Sequence, residues 1–353
     1  MSKIEDPRHQ SYIKHSLADI LIIIMCGVLR GLDTLGDLVI YAKNKQEFLS
    51  NVLEVRQIPS KATFARVLNL VDGKKIGEAI LDILRERFGT AGEVIAVDGT
   101  AKPDQPHTAL QILSAYITES GVVLAQEAIH EKTNEIPVFQ EMLTYLDVKG
   151  KTVTADAMHC QRETCRKVIQ GKGDYLFGLK ENQPSLLEDV RLFFEKPAGE
   201  ALESFQRLEK NAGRIEKRSC YKMRDISWLD EHKWPGLRSV FCIERCTQVR
   251  GHTRKEISYY ISSLDDSPEC LMALAREHWK IESMHWLLDV TFSEDKSRLL
   301  CENANRTMNA LRKFALAVHK NFLMIHHSKT SIKAHMLSTL LNSDRLLELL
   351  RFL

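Results

Sequence analysis

Apolar residues in the first ninety positions recur three and four apart, the spacing of one buried helix face. Leu17, Ile20, Leu21, Ile24 and Val28 form one such stripe, and Gly31 follows as a stop. Further on, IPSKATFARVLNLVD places Pro59 and a Ser60 cap ahead of an apolar face of Phe64, Val67, Leu68 and Val71. Residues 1–90 are therefore expected to be a helical module, able to bind a nucleic acid or to brace its neighbour.

The period then changes. A short β-rich run, residues 94–97, ends at Asp98, and a polar loop with Pro103 and Pro106 follows. ALQILSAYIT and GVVLAQEAIH flank a Gly-containing turn and predict a hairpin. A helix over 136–146 leads to TVTADA, a strand ending at Asp156; then come a helix over 161–171, the strand YLFGL at 175–179 and a helix opened by Pro184. Three antiparallel strands followed by αβ crossovers predict a mixed sheet covered by helices, an α/β class. Residues 196–266 interrupt this order. RIEKRSCYKMR, SVFCIERCTQV and EISYYISSL read as three strands of a β-rich insertion. A long helical stretch starts near Pro268, and helices are expected over 303–325 and 333–351.

Composition removes some classes. Of 353 residues, 44% are hydrophobic and 27% charged, as in ordinary globular proteins. The net charge of +2 neither demands nor excludes a polyanion. Its distribution says more. After Cys301 the cations Arg306, Arg312, Lys313, Lys320, Lys329, Lys333, Arg345 and Arg351 face only Glu302, Asp344 and Glu348. Any one of these lysines is ordinarily a solvated face, yet the excess favours a polyanionic partner. Eight cysteines without a CxxC pair suit a reduced, cytoplasmic setting. Neither His159 with Cys160 and Cys165 nor Cys242 with Cys246 has a second half at structural-zinc spacing. The apolar run 20–29 is too short to span a bilayer, so no membrane partner is expected.

The candidate chemistry begins with Asp98 and Asp156, each at the carboxyl end of a short apolar strand, the edge where ligands gather in open α/β sheets. Alone, each is an ordinary turn residue. Together, on neighbouring strands, they could hold a hard divalent cation such as Mg²⁺, with Mn²⁺ as a substitute. A two-ion site needs a third carboxylate. Glu282, in HWKIESMHWLLDV, is the candidate, with Glu294 and Asp295 as rivals. On a helix His278, Glu282, His285 and Asp289 make one polar stripe, and the two histidines could touch a phosphate or a scissile strand. Lys180, Asn182 and Gln183 lie just past a strand end. They read either as a turn capping the next helix or as contacts to phosphate and base.

Long strings then add a resemblance that runs nearly the whole chain: DPRHQSYIKHSLADILIIIMCGVLRG, IPSKATFARVL, IAVDGT, KTNEIPVFQEML, TVTADAMHCQ, DYLFGLKENQP and HWKIESMHWLLDVTFSED. The chain resembles the DDE transposases of bacterial insertion sequences, in the ISAs-type branch that includes the H-repeat-associated proteins of Rhs elements. The resemblance implies an RNase H-like catalytic domain over 91–353, with the β-rich insertion at 196–266. It implies two Mg²⁺ ions on Asp98, Asp156 and Glu282, double-stranded DNA as substrate, and a homodimer or larger assembly on it in the nucleoid. Lys180, Asn182, Gln183, His278, His285, Arg312, Lys313 and Lys320 are the expected DNA contacts. Two departures stand out. Thr100 and Ala101 precede Lys102 where relatives carry a Lys soon after Asp-Gly. Related transposases often place Tyr, Arg and Lys seven before, four before and seven after the catalytic Glu, where this chain has Ala275, His278 and Asp289.

Overall fold

The computed structural model describes residues 5–100, 111–129, 134–195, 201–211, 214–249, 252–297 and 299–353. Lys102, Pro103 and Pro106 lie outside them. The N-terminal helical periodicity becomes five helices, α1 (Leu17–Val28), α2 (Leu35–Asn44), α3 (Gln46–Leu53), α4 (Lys61–Leu70) and α5 (Gly73–Phe88). Local chemistry sets their ends. Ser16, Thr34 and Ser60 each accept a hydrogen bond from a first-turn N–H, and Gly31 takes the left-handed backbone (φ +80°) just past α1.

The sheet strands are β1 (Val94–Thr100), β2 (Gln111–Ile117), β3 (Val123–Ile129), β4 (Thr152–Ala155) and β5 (Asp174–Leu179). β1, β2 and β3 pair antiparallel, while β4 and β5 join β1 in parallel, giving the order β3-β2-β1-β4-β5. Three antiparallel strands and two parallel ones in this order make an RNase H-like core. Helices α6 (Glu135–Met142), α7 (Arg162–Gln170) and α8 (Pro184–Glu195) supply the connections. Phe139, Met142, Val168, Leu187 and Val190 pack with Ile95, Val97, Val153 and Phe177 in one core.

The insertion holds four strands where three were expected: β6 (Leu202–Asn211), β7 (Arg214–Met223), β8 (Ser239–Val249) and β9 (His252–Ser262). It extends the same sheet, because β9 pairs antiparallel with β5 and the meander continues outward to β6, nine strands in all. β6 escaped notice because ESFQRLEKN carries polar residues on both faces, as an edge strand can.

The other sheet face is covered by α9 (Pro268–Val290) and α10 (Glu302–Ile325); α11 (Ile332–Leu341) and α12 (Ser343–Phe352) complete the chain. The helical stretch expected over 333–351 is two helices that meet at Asn342, whose side chain caps α12. Ala96 and Tyr116 of the sheet, Ile281, Met284 and Leu288 of α9, much of α10, and the apolar stripes of α1, α4 and α5 form one continuous core. The N-terminal helices are thus packed on the C-terminal ones. Among the described residues no helix is long and apolar enough to cross a membrane.

Candidate active site

Parallel pairing of β1 with β4 ends at Val97 opposite Ala155. The next residues, Asp98 and Asp156, therefore leave adjacent strands side by side at the same sheet edge. Alternation along β1 puts Ile95 and Val97 into the core under α6 and α7 and turns Ala96 and Asp98 toward α9. Helix α9 lies across that face, held by Ile281, Met284 and Leu288. Its polar stripe is thereby aimed at the two aspartates.

Each aspartate meets one histidine of the stripe. His278 Nε2 lies 3.5 Å from Asp156 Oδ1, and His285 Nδ1 lies 3.3 Å from Asp98 Oδ2. Glu282 stands between them on the same helix. Ligand atoms of Asp156, His278 and Glu282 all fall within 4.8 Å of one another, the one such group among the described residues. The electrostatics agree with this crowding. The imidazole of His278 beside it holds the Asp156 carboxyl below the ordinary range against the cost of burial, with help from the charges of Lys180 and His159. Burial pushes Glu282 up, and the nearby charges of Asp156 and Asp98 push it further, while His278 and His285 pull it down. A carboxyl pushed up by two neighbouring carboxylates suits a cation, which would relieve the repulsion. The buried Nε2 atoms of His278 and His285 have no hydrogen-bond partner, which also fits a ligand at this edge.

Other candidates fall differently. Glu294 is buried away from the crevice, 3.5 Å from Arg312 and accepting a hydrogen bond from Asn309 Nδ2 at 2.7 Å. Asp295 is exposed and outside the cluster. Arg312 and Lys313, expected on DNA, are each 2% exposed. Lys313 Nζ donates to Ser114 Oγ at 2.7 Å and to Gln126 Oε1 at 3.2 Å, so both cations brace the interior. Lys320 is half-buried, donating to Tyr116 Oη at 2.9 Å. These three are corrected from DNA contacts to internal pairs. A basic residue on an amphipathic helix has the same letter whether it faces water or a buried serine.

Lys180 is exposed and lines the cavity that contains Asp156, Glu282, His278 and Trp279. Its neighbours turn inward. Asn182 Nδ2 donates to Ala157 O at 2.7 Å, and Gln183 Nε2 to Cys160 O at 2.9 Å. Both amides therefore staple the loop that follows Asp156. The histidines likewise face the aspartates rather than open solvent. Sequence reasoning missed the pair behind the site, His159 and Glu135, 3.4 Å apart. Glu135 also explains Gly99: a Cβ there would sit 2.5 Å from Glu135 Oε1. The glycine beside Asp98 in VDGT was the available signal. Cys160 and Cys165 are buried in the core and belong to no metal-binding group among the described residues.

A strand-end aspartate pair facing a helix glutamate on an RNase H-like sheet is an arrangement that could hold a divalent cation for phosphoryl transfer. Residues 89–318 match the transposase DDE domain family, and residues 1–83 match the family described as DDE_Tnp_1-associated. The chain belongs to the DDE transposase family, whose members cleave DNA and transfer strands. It is 33% identical over 342 residues to "Putative transposase YncI" of Escherichia coli O157:H7, covering 90% of this chain and 85% of that one. It is 30% identical over 343 residues to "H repeat-associated putative transposase YhhI" of Escherichia coli K12, covering 91% and 89%. Among solved structures, the piggyBac transposase synaptic complex with hairpin DNA is similar at 14% identity and a TM-score of 0.45, covering 94% of this chain and 73% of that one.

Proposed function

We propose that this transposase cuts double-stranded DNA at the ends of a bacterial insertion element and joins the freed 3′-hydroxyl to target DNA, with Asp98, Asp156 and Glu282 as its metal-binding catalytic residues. The observation that supports this reading is that Asp98 and Asp156 leave paired strands side by side, beneath the helix that carries Glu282. Two Mg²⁺ ions, or Mn²⁺ in their place, would activate the attacking oxygen and stabilise the leaving one. The chain supplies rigidity. Asp98 sits on β1, Asp156 follows directly on the paired strand β4, and Glu282 sits on a helix packed into the core, so all three are anchored to the sheet or to the helix over it. His285 and His278 orient the two aspartates. Lys180, exposed at the cavity rim, is placed to meet a phosphate of the strand being cut. Cutting two element ends in one event calls for at least two copies on the DNA, in the nucleoid.

Asp156→Asn tests the reading. It should retain duplex binding, since most phosphate contacts lie elsewhere, and lose cleavage and joining by roughly 10²-fold or more. Joining at the unaltered rate in this variant would sink the assignment. End cleavage without joining by the wild-type protein would leave a nuclease.

A further inference from the structure

Helix α9 brings to the site a nitrogen donor that a purely carboxylate centre does not need. His278 is 8% exposed, and its Nε2 is buried without a hydrogen-bond partner. The other ring nitrogen, Nδ1, lies 3.4 Å from the hydroxyl of Thr154, a fully buried residue two positions before Asp156 on β4. Ring and carboxylate are therefore referenced to one strand. A histidine whose second nitrogen is held in this way presents its free nitrogen in a fixed direction, the arrangement found around metal-bound imidazoles.

The distances favour coordination over a simple ion pair. A charge-assisted N–H···O bond closes to about 2.7–2.9 Å. Here Nε2 and Asp156 Oδ1 are 3.5 Å apart. Two donors each about 2.1 Å from one ion, at roughly 90–110°, stand about 3.0–3.5 Å from each other. Glu282 offers the third atom of the same group, within 4.8 Å of the other two. Asp98, paired with His285, is not part of that group.

We propose that His278 is itself a metal ligand, forming with Asp156 and Glu282 a seat of one imidazole and two carboxylates that binds Mn²⁺ in preference to Mg²⁺. The proposal rests on the metal-dependent reading above and adds a ligand and a selectivity to it. Mg²⁺ favours oxygen donors and sheds water reluctantly, whereas imidazole nitrogen shifts a site toward first-row transition ions. The position four before Glu282 would then hold a metal ligand rather than a phosphate-binding cation.

The test uses the full chain with Mn²⁺ alone, without DNA. Free Mn²⁺ is counted by electron paramagnetic resonance, with and without competing Mg²⁺, and pulsed measurements look for ¹⁴N modulation on the bound ion. Wild type should show nitrogen modulation and bind Mn²⁺ at least tenfold more tightly than Mg²⁺. His278→Gln should lose the modulation and about 10–100-fold in Mn²⁺ affinity, with Mg²⁺ affinity little changed. Bound Mn²⁺ without nitrogen modulation in wild type overturns the proposal, and that result needs no folded variant. So does modulation that survives His278→Gln and vanishes in His285→Gln. Asp156→Asn and Glu282→Gln separate the two levels of the argument. Metal binding lost in both, with no nitrogen signal in wild type, removes only His278. Undiminished binding in both, or no bound Mn²⁺ at millimolar concentration, removes the metal site itself.

Discussion

Asn182 and Gln183 give their amide N–H groups to the chain just after Asp156, at Ala157 O and Cys160 O. If Asp156 is the catalytic carboxylate proposed above, it tolerates little displacement, so the holding of this loop matters more than the strength of either bond. Asn182→Ala should lower stability by about 1 kcal/mol, the usual net worth of such a bond, and slow cleavage while leaving duplex affinity unchanged. Denaturant melts and gel-shift titrations of the purified variant check both halves. Weaker DNA binding at unchanged stability would restore a direct DNA contact for this residue. Gly99 offers a second test at this scale. Gly99→Ala should force the Glu135 carboxylate aside and disturb its pairing with His159, with a loss of cleavage larger than the loss of stability. A variant as active as wild type would show that Glu135 has room to yield.

Helix α10 shows what sequence pattern hides at the scale of an element. Its basic residues suggested a DNA-facing tail, but the helix is central, with the sheet on one side and α1, α4 and α5 on others. Burial pushes the Lys313 ammonium down to about 8, even with the Glu294 charge nearby. Neutralising Arg312 and Lys313 should therefore leave the slope of log affinity against log salt unchanged and destabilise the fold by several kcal/mol, because Glu294, Ser114 and Gln126 lose partners. A slope flattened by about 0.9 per residue would return these cations to the DNA surface. Elements were legible where one face was apolar: α1, α4, the hairpin β2–β3, and the strands ending at Asp98 and Asp156. Glu282 was legible as part of a polar stripe, since only a helix aligns positions four and seven apart. Burial of charge was not legible, because it depends on partners nearly two hundred residues away, as Ser114 is from Lys313. The fourth strand of the insertion was hidden for a related reason, since an edge strand has no obligatory apolar alternation.

At the scale of the whole molecule, N- and C-terminal helices meet around a buried histidine pair. His319 Nε2 lies 2.8 Å from Leu29 O, and its Nδ1 lies 3.0 Å from His335 Nδ1. The carbonyl can only accept, so His319 carries its proton on Nε2 and accepts from His335 through Nδ1. Burial pushes His319 down to about 4, and the His335 charge adds to this against the Leu29 hydrogen bond. An unfolded histidine takes up its proton near pH 6.5, so between there and pH 4 the unfolded chain binds the extra proton. Stability should thus be full above about pH 6.5 and fall by on the order of 1–3 kcal/mol toward pH 4. Urea midpoints measured across this window should fall less steeply in His319→Gln. Equal slopes in the two proteins would place the acid sensitivity elsewhere.

The order in which the site's parts occur along the chain has a consequence for synthesis. Asp156 and Glu282 are separated by 126 positions (282 minus 156), about half of them in the meander β6–β9. At about 5–20 residues per second, a ribosome needs roughly 6–25 s to pass from one to the other. Helix α9 then still waits for α10, whose side chains complete the core that seats it. On the proposed reading, a growing polypeptide therefore carries the two aspartates without the third carboxylate for 126 of its 353 positions, about a third of its translation. On the same reading, messages cut short within the meander would yield products that lack Glu282 and cannot cut DNA, and only a chain carried past α9 and α10 would be competent.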